Sequence, residues 1–435
     1  MTKGRILRMY PKIVHICTFA SGGAGKAAYR LHDGLCRAGM DSTFLCLSKG
    51  LADPTVKVIH GTATSTEPGY AEVMGTICNR WHKITLDHPQ RPPGLEMFSD
   101  ADSPVRLAEL EEIKSADIIH LHWVAGLVDY DELARAARGK KVVWTLHDMN
   151  PFTGGCHYAG DCLKYRTSCG ACPQLGSTAD NDLSRHIWGK KRRGLHGLDI
   201  TVVTPSRWLS SCAVQSAIFR DCRVVCIPYG VPTNVFQPYN RQEIRKVMSI
   251  SLDAKVILFG AENLGNNRKG FAYLLEALRL YRTQGDREMV LVTFGHLDPS
   301  ITIDSPYPVI PCGSIGDEQN LAYIYSMADL LVIPSLEDNL PNTVLESMAC
   351  GTPVVGFDIG GIPDMIEHGK TGYLAVAGDV NDLLAGIDQV LLNPDNISFH
   401  ENCRRKVESL YTVHTQATRF TILYNSLSHL GRHVS

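Results

Sequence analysis

SLEDNLPNTVLESMACGTPVVGFDIGG, residues Ser335–Gly361, is the stretch whose reading decides the fold. The apolar run before it, Ala328–Pro334 (ADLLVIP), reads as a buried strand. Glu337 and Asp338 mark its end, and Pro341, Asn342 and Thr343 offer helix-start chemistry. Val344–Cys350 then reads as a helix stopped by Gly351–Pro353, and Val354–Phe357 as a second buried strand before Gly360–Gly361. Strand–helix–strand with both strands apolar throughout is a unit of a parallel sheet. Ligands of such sheets bind beyond the carboxyl ends of the strands, where the Glu337–Thr343 loop lies.

Backbone N–H groups from Asn339 and Leu340, past Pro341, to Val344 fall at this helix's start, an arrangement suited to a diphosphate. Asp338 and Glu346 stand eight residues apart, one in the loop and one inside the helix. Two carboxylates around an anion site suit the hydroxyls of a sugar and a ribose. The plainer alternative makes Asp338 a solvated loop acid and Glu346 an exposed helix acid.

At 435 residues the chain has room for two domains with large cores. Lys+Arg 43 against Asp+Glu 45 gives a net charge of −2, so no global field points to nucleic acid. No apolar run reaches the roughly 18–20 residues that span a bilayer. Lys3, Arg5 and Arg8 before Ile13–Ala20 mimic a signal peptide, but the apolar part is short. It reads as the first strand of a cytoplasmic protein whose membrane contact, if any, is peripheral.

Working outward, Lys12–Phe19 (KIVHICTF) is a strand leading through Ser21-Gly22-Gly23-Ala24-Gly25-Lys26 into a helix over Ala27–Ala38. Such glycines let a backbone approach a phosphate or sugar closely. Ala20 and Ala27 stand where a Walker A motif needs Gly and Ser or Thr, so the loop is not one. Lys49–Pro104 is weakly patterned, with loop and helix pieces, and Trp81-His82-Lys83 reads as part of an acceptor-side loop. Ala116–Trp123 (ADIIHLHW) is a strand with His120 and His122 on one side near its end, and Lys141–His147 is the next. In the second half, Arg268 and Lys269 precede a helix over Phe271–Tyr281, well placed for phosphate oxygens. Phe294, Gly295, Ser314 and Ile315 fall where a nucleotide base would lie, and a helical stretch over Phe399–Leu430 breaks near Tyr411–His414.

Pro151–Pro173 (PFTGGCHYAGDCLKYRTSCGACP) concentrates Cys156, Cys162, Cys169 and Cys172. Cys169-x-x-Cys172 is a thiolate pair of metal-site spacing, and a structural zinc on four Cys is chemically reasonable. Free thiols are the alternative. A reducing cytoplasm disfavours two disulfides.

The 335–361 stretch resembles the signature of retaining glycosyltransferases of family 4, which have the GT-B fold. The motif is an acid, seven residues, a Glu, a Met-Ala-Cys-Gly-like helix end and a Gly-Gly-x-Pro turn. Here it reads Asp338, Glu346, Met348–Gly351 and Gly360-Gly361-Ile362-Pro363. The first acid is usually Glu, and Asp338 is one methylene shorter. The resemblance implies an α/β chain with two Rossmann-like domains, parallel sheets facing a central cleft. The acceptor-side domain spans 1–232 with the Cys-rich insert at 151–176, the nucleotide-sugar domain 233–410, and a helix at 411–435 crosses back. It implies His122, Lys269, Arg268 and Asp338 as catalytic residues. Gly22, Gly23, Asn339, Leu340, Pro341 and Glu346 would bind the donor, a UDP- or GDP-sugar, with no metal required for catalysis. The segment from Trp144-Thr-Leu-His-Asp148 through the Cys-rich insert resembles a polysaccharide-biosynthesis subgroup. That implies a glycan or lipid-linked acceptor at the cytoplasmic face of the inner membrane, in exopolysaccharide, capsule or lipopolysaccharide assembly. A GT-B nucleotide-sugar epimerase and a non-catalytic zinc-bearing assembly protein are the alternatives.

Overall fold

A computed structural model describes residues 10–48, 52–59, 70–283, 288–298, 302–393 and 396–430. Lys3, Arg5 and Arg8 lie outside them. The chain divides into two units. The first takes the chain up to Pro205, then Leu209–Ile227 and the chain from His414; the second takes Ser206–Trp208 and Pro228–Val413.

The first unit holds a parallel sheet of β1 (Ile13–Ile16), β2 (Ser42–Cys46), β3 (Val56–Val58), β4 (Ile118–Leu121), β5 (Lys141–Thr145), β6 (Asp199–Thr204) and β7 (Arg223–Cys226). Their order is β3-β2-β1-β4-β5-β6-β7. β1 and β4 are buried throughout and β5 from Val142 onward, as in a sheet covered on both faces, with His15 and His120 set among their apolar residues. One face is closed by Phe420, Leu423, Tyr424 and Leu427 of the last helix, Val413–Leu430, which pack with Ile13, Ile118 and Val143.

The second unit holds β8 (Lys255–Asn263), β9 (Met289–His296), β10 (Val309–Pro311), β11 (Leu330–Ile333), β12 (Val354–Phe357) and β13 (Gly372–Ala375), all parallel, in the order β10-β9-β8-β11-β12-β13. Leu330, Leu331 and Val332 are fully buried, as a central strand of a double-sided sheet requires. In each sheet the winding reverses once, between β1 and β4 and between β8 and β11. The crevice at such a reversal is where doubly wound sheets bind ligands.

Several sequence-based bounds shift. The helix after β1 spans Gly22–Arg37, so Gly22 and Gly23 open the helix instead of forming a separate loop before it. Trp81, His82 and Lys83 lie inside a helix, Tyr70–Asp87, not in a loop. The helix after β11 begins at Asn342, with Pro341 at its N-cap and no side chain capping it. The break in the C-terminal helical stretch falls between Leu410 and Val413.

Candidate active site

The strand order of the second sheet sets two loops side by side beyond β8 and β11. Lys269 lies in a short 3-10 turn, Asn267–Lys269, held by the Asn266 side chain accepting from Arg268 N–H at 3.0 Å. Gly270 follows with φ +71, and a Cβ there would sit 1.8 Å from Pro334 O, so only glycine lets this turn press on the end of β11. Leu336 N–H donates to Arg268 O at 2.8 Å and clamps the loops together.

Asp338 stands between them, 4% exposed. Its Oδ2 accepts from Lys269 Nζ at 2.6 Å and Ser335 Oγ at 3.1 Å, and Arg268 Nη1 lies 3.6 Å away. Burial alone would raise the Asp338 carboxyl, but the Lys269 and Arg268 charges outweigh it and hold the group below the usual carboxylate range. Behind it the Gly360–Gly361 turn approaches so closely that Cβ atoms would fall 1.9 Å from Asp338 O and 1.7 Å from Asn339 O. This is the physical content of the Gly-Gly in the motif. Glu346 is 3% exposed and accepts from Tyr325 Oη at 3.0 Å. The reading of both acids as solvated surface groups is therefore overturned. The row of amides is less open than the sequence suggested: Asn339 N–H donates to Asp338 Oδ1 at 3.1 Å and Val344 N–H to Pro341 O at 3.1 Å. Leu340 is buried beside them. Phe294 is buried, while Ser314 is exposed after β10.

The first unit concentrates buried histidines at its own winding reversal. His15 on β1 pairs in register with His120 on β4, and His122 follows directly. His15 Nδ1 and His122 Nε2 are 2.9 Å apart, and His122 Nδ1 and His147 Nε2 3.2 Å. Nε2 of His15 has no partner. A bare acceptor is the less costly orphan, so we assign Nδ1–H of His15 to donate to His122, and Nδ1–H of His122 to His147. Both ring nitrogens of His122 are thus engaged by histidines. Its ring edge and His147 line a small cavity shared with Trp123, Val124, Asp148 and Asn150. His120 bonds Tyr424 Oη at 2.6 Å and Thr145 Oγ1 at 2.7 Å. Among the described residues, His15, His120 and His122 are the set whose ligand atoms all lie within 4.8 Å. Their nitrogens are committed to hydrogen bonds, apart from His15 Nε2, so they do not form a metal centre.

Burial lowers His15, His120 and His122 well below the usual histidine range, and takes His32 and His147 down to about 4 despite the nearby Asp53 and Asp148 carboxylates. Each folded pKa lies below its unfolded value, so the unfolded chain takes up protons first as the pH drops. Stability is therefore full above about pH 6.5 and falls as the pH drops below it, for His32 and His147 down to about pH 4 and for the other three further. Urea midpoints at pH 7.5 and 5.0 check this; equal midpoints would mean that the cluster is not buried neutral.

The four insert cysteines line one cavity with Phe98, Tyr165 and Gly154. Cys156, Cys169 and Cys172 are buried, Cys162 is half-buried, and none is in a disulfide. Sequence reasoning missed His15, Tyr325 and Ser335. Tyr325 sits 21 residues from Glu346 on another helix, and no local pattern signals that pairing.

Two family models match the chain: Glycosyltransferase Family 4 over residues 21–235 and Glycosyl transferases group 1 over residues 254–393. The chain belongs to glycosyltransferase family 4. This glycosyltransferase is 24% identical to N-acetyl-alpha-D-glucosaminyl L-malate synthase of Bacillus anthracis over 347 residues, 76% of this chain and 79% of that protein. It is 25% identical to D-inositol 3-phosphate glycosyltransferase of Thermobispora bispora over 319 residues, 70% and 69% of the two chains. Its fold matches sucrose-phosphate synthase from Thermosynechococcus elongatus at TM-score 0.64 and 19% identity, covering 97% of this chain and 100% of that one. Anabaena HepE in complex with UDP-glucose matches at TM-score 0.62 and 13% identity, covering 96% and 100%. These likenesses establish the GT-B fold of the glycosyltransferase, with a parallel α/β sheet in each unit.

Proposed function

We propose that this glycosyltransferase moves a sugar from a nucleoside-diphosphate sugar to a separate acceptor hydroxyl, with retention at the anomeric carbon. The observation that carries the reading is the Lys269–Asp338–Arg268 cluster beyond the β8/β11 reversal, with the buried Glu346 on the adjoining helix. Lys269 and Arg268 supply two cations where a diphosphate leaving group would gather negative charge. Glu346, oriented by Tyr325, takes ribose hydroxyls, and Asp338 takes hydroxyls of the donor sugar. Asn339, Leu340 and Pro341 shape the diphosphate side of that loop. Gly22 and Gly23 at the start of the first helix, and His122, keep the donor-binding and catalytic roles that the resemblance implies for them. The two cations do the work of a metal, so catalysis requires none. No side chain is assigned as a nucleophile; attack by the acceptor on the face that the diphosphate leaves gives retention.

The relatives support a transferase whose acceptor is set outside the donor machinery, since their names carry acceptors as different as malate and inositol phosphate. HepE is described with UDP-glucose, which supports a UDP-sugar among the donors to be tried first. The insert's likeness to polysaccharide-assembly transferases favours a glycan or lipid-linked acceptor and peripheral contact with the cytoplasmic face of the inner membrane. No helix among the described residues is long and apolar enough to cross a membrane.

The test is product analysis. UDP- and GDP-sugars are incubated with lipid-linked and free glycan acceptors, and the anomeric configuration of the product is read by NMR. An α-linked product from an α-linked donor is expected. An inverted product would refute retention, and sugar-nucleotide turnover without any acceptor would refute transfer. In the same assay Glu346→Gln keeps the shape but removes the charge. It should weaken nucleotide binding by roughly 10- to 100-fold, the worth of a charged hydrogen bond; unchanged affinity would remove Glu346 from the ribose role.

A further inference from the structure

The Cys-rich insert carries chemistry that sugar transfer does not use. Its four cysteines arrive from three loop segments around one void of about 20 Å³. That volume holds a single water-sized occupant and excludes an organic ligand. The sequence folds here in a way that suits thiolates. Gly170 has φ +137 and Ala171, one of two described non-glycine residues in the left-handed region, has φ +41. The Cys169-x-x-Cys172 turn thus bends tightly with both sulfurs toward the void. Gly154 N–H donates to Cys169 Sγ at 3.1 Å, and the amides of Leu175 and Gln174 hydrogen-bond Cys172.

A second observation is independent of the cysteines. Lys191 is fully buried on the helix Leu183–Leu195, beneath the same insert. Its ammonium donates to Asn150 O at 2.5 Å, Asn150 Oδ1 at 3.3 Å and Thr153 O at 3.2 Å. These acceptors are all neutral. A buried cation hydrogen-bonded to no carboxylate is stabilised by further anionic charge close by. Four thiolates around a divalent ion carry a net charge of −2, and the anionic groups that act on Lys191 are Cys156 and Cys169 first, then the Asp148 and Asp100 carboxylates.

We infer that Cys156, Cys162, Cys169 and Cys172 bind one zinc ion as thiolates, with Lys191 as the buried counter-charge. The sulfurs ring the void more widely than a bound shell, since no three of them lie within 4.8 Å of one another. Binding would draw the four sulfurs inward, and Cys162, half-buried at the rim, is the natural last ligand. Binding displaces four thiol protons, so it strengthens with pH.

The metal would brace the histidine cavity. His157, next to Cys156, bonds Asp148 Oδ2 at 2.6 Å and Ser99 Oγ at 2.8 Å, and Trp123 Nε1 donates to the same Asp148 oxygen at 2.8 Å. Asp148 directly follows His147, and both line the cavity with His122 and Trp123. The insert therefore fixes the loop that carries His147.

The test uses the full chain purified without chelator under a mild thiol reductant. About one zinc per chain is expected by elemental analysis, released when an organomercurial titrates the thiols. Cys169→Ser and Cys172→Ser should lose the zinc, and Cys226→Ser, in an exposed residue outside the insert, should keep it. Lys191→Met should bind zinc more weakly at neutral pH. If the insert variants fail to fold, the zinc content of the native chain and its retention in Cys226→Ser still decide. Folded, metal-free protein with four titratable insert thiols, cysteines oxidised in pairs, or an iron chromophore would each overturn the inference.

Discussion

Lys269→Met should lower kcat/KM for sugar transfer by about 10²- to 10³-fold, the range seen when one preorganised charge-stabilising donor is removed. The argument rests on position. Lys269 is held by Gly270 against the end of β11, and its ammonium lies 2.6 Å from Asp338, about one-fifth exposed. A fixed, partly desolvated cation needs no reorganisation as charge builds on a leaving diphosphate. Arg268→Met should cost less, because that guanidinium is already tied to Glu337 O as well as facing Asp338. Denaturant midpoints must accompany the rates, since Lys269→Met also takes the nearest counter-charge from a buried carboxylate. A rate within a few-fold of the native enzyme, with folding intact, would remove Lys269 from the chemistry.

Asp338→Ala should have the largest effect on stability. It leaves Lys269 and Arg268 facing each other in a site where Asp338 was 4% exposed. Breaking a buried ion pair by removing one partner costs about 3–5 kcal/mol. The lower end is expected, because both cations are partly exposed and turn toward water. A second readout separates this from simple loss of packing. The Asp338 carboxyl is held below its unfolded value, so its contribution is present above about pH 4 and lost as the pH falls through the folded value. Asp338→Asn should therefore flatten the acid limb of the stability profile below pH 4 while leaving in place the histidine-dependent loss that begins near pH 6.5. An unchanged acid limb would mean that Asp338 is not ion-paired in solution.

Much of this was legible in the sequence where burial is two-sided. Leu330–Ile333 and Val354–Phe357 are continuous apolar runs because helices cover both faces of their sheet, and the glycines after them are forced by backbone contacts. The pairing of Lys269 with Asp338 was not legible. The two are 69 positions apart, and only the β8–β11 adjacency joins their loops. The extent of the helix Tyr70–Asp87 stayed hidden because, among its described side chains, the buried stripe is thin. Ile77 and Ile84 are buried, Trp81 is half-buried, and His82 and Lys83 are exposed. The start of the first helix was obscured by its own glycines, which have low helix propensity yet open it from Gly22. His122 lies directly after β4, at the strand end where the sequence puts it. That His15 and His147 occupy both its nitrogens depends on the β1–β4–β5 order, which pattern alone does not reveal.

The central claim is that the loop pair around Asp338 and the helix bearing Glu346 bind a nucleoside diphosphate. The most direct measurement is the unfolding temperature of the native chain and of Glu346→Gln in the presence of UDP, GDP, ADP and CMP. Ligand at about 100 times its dissociation constant adds about 2.7 kcal/mol of stability. A rise with one diphosphate, reduced or abolished in Glu346→Gln, is the predicted result. No rise with any nucleotide, or an equal rise in both proteins, would contradict the account.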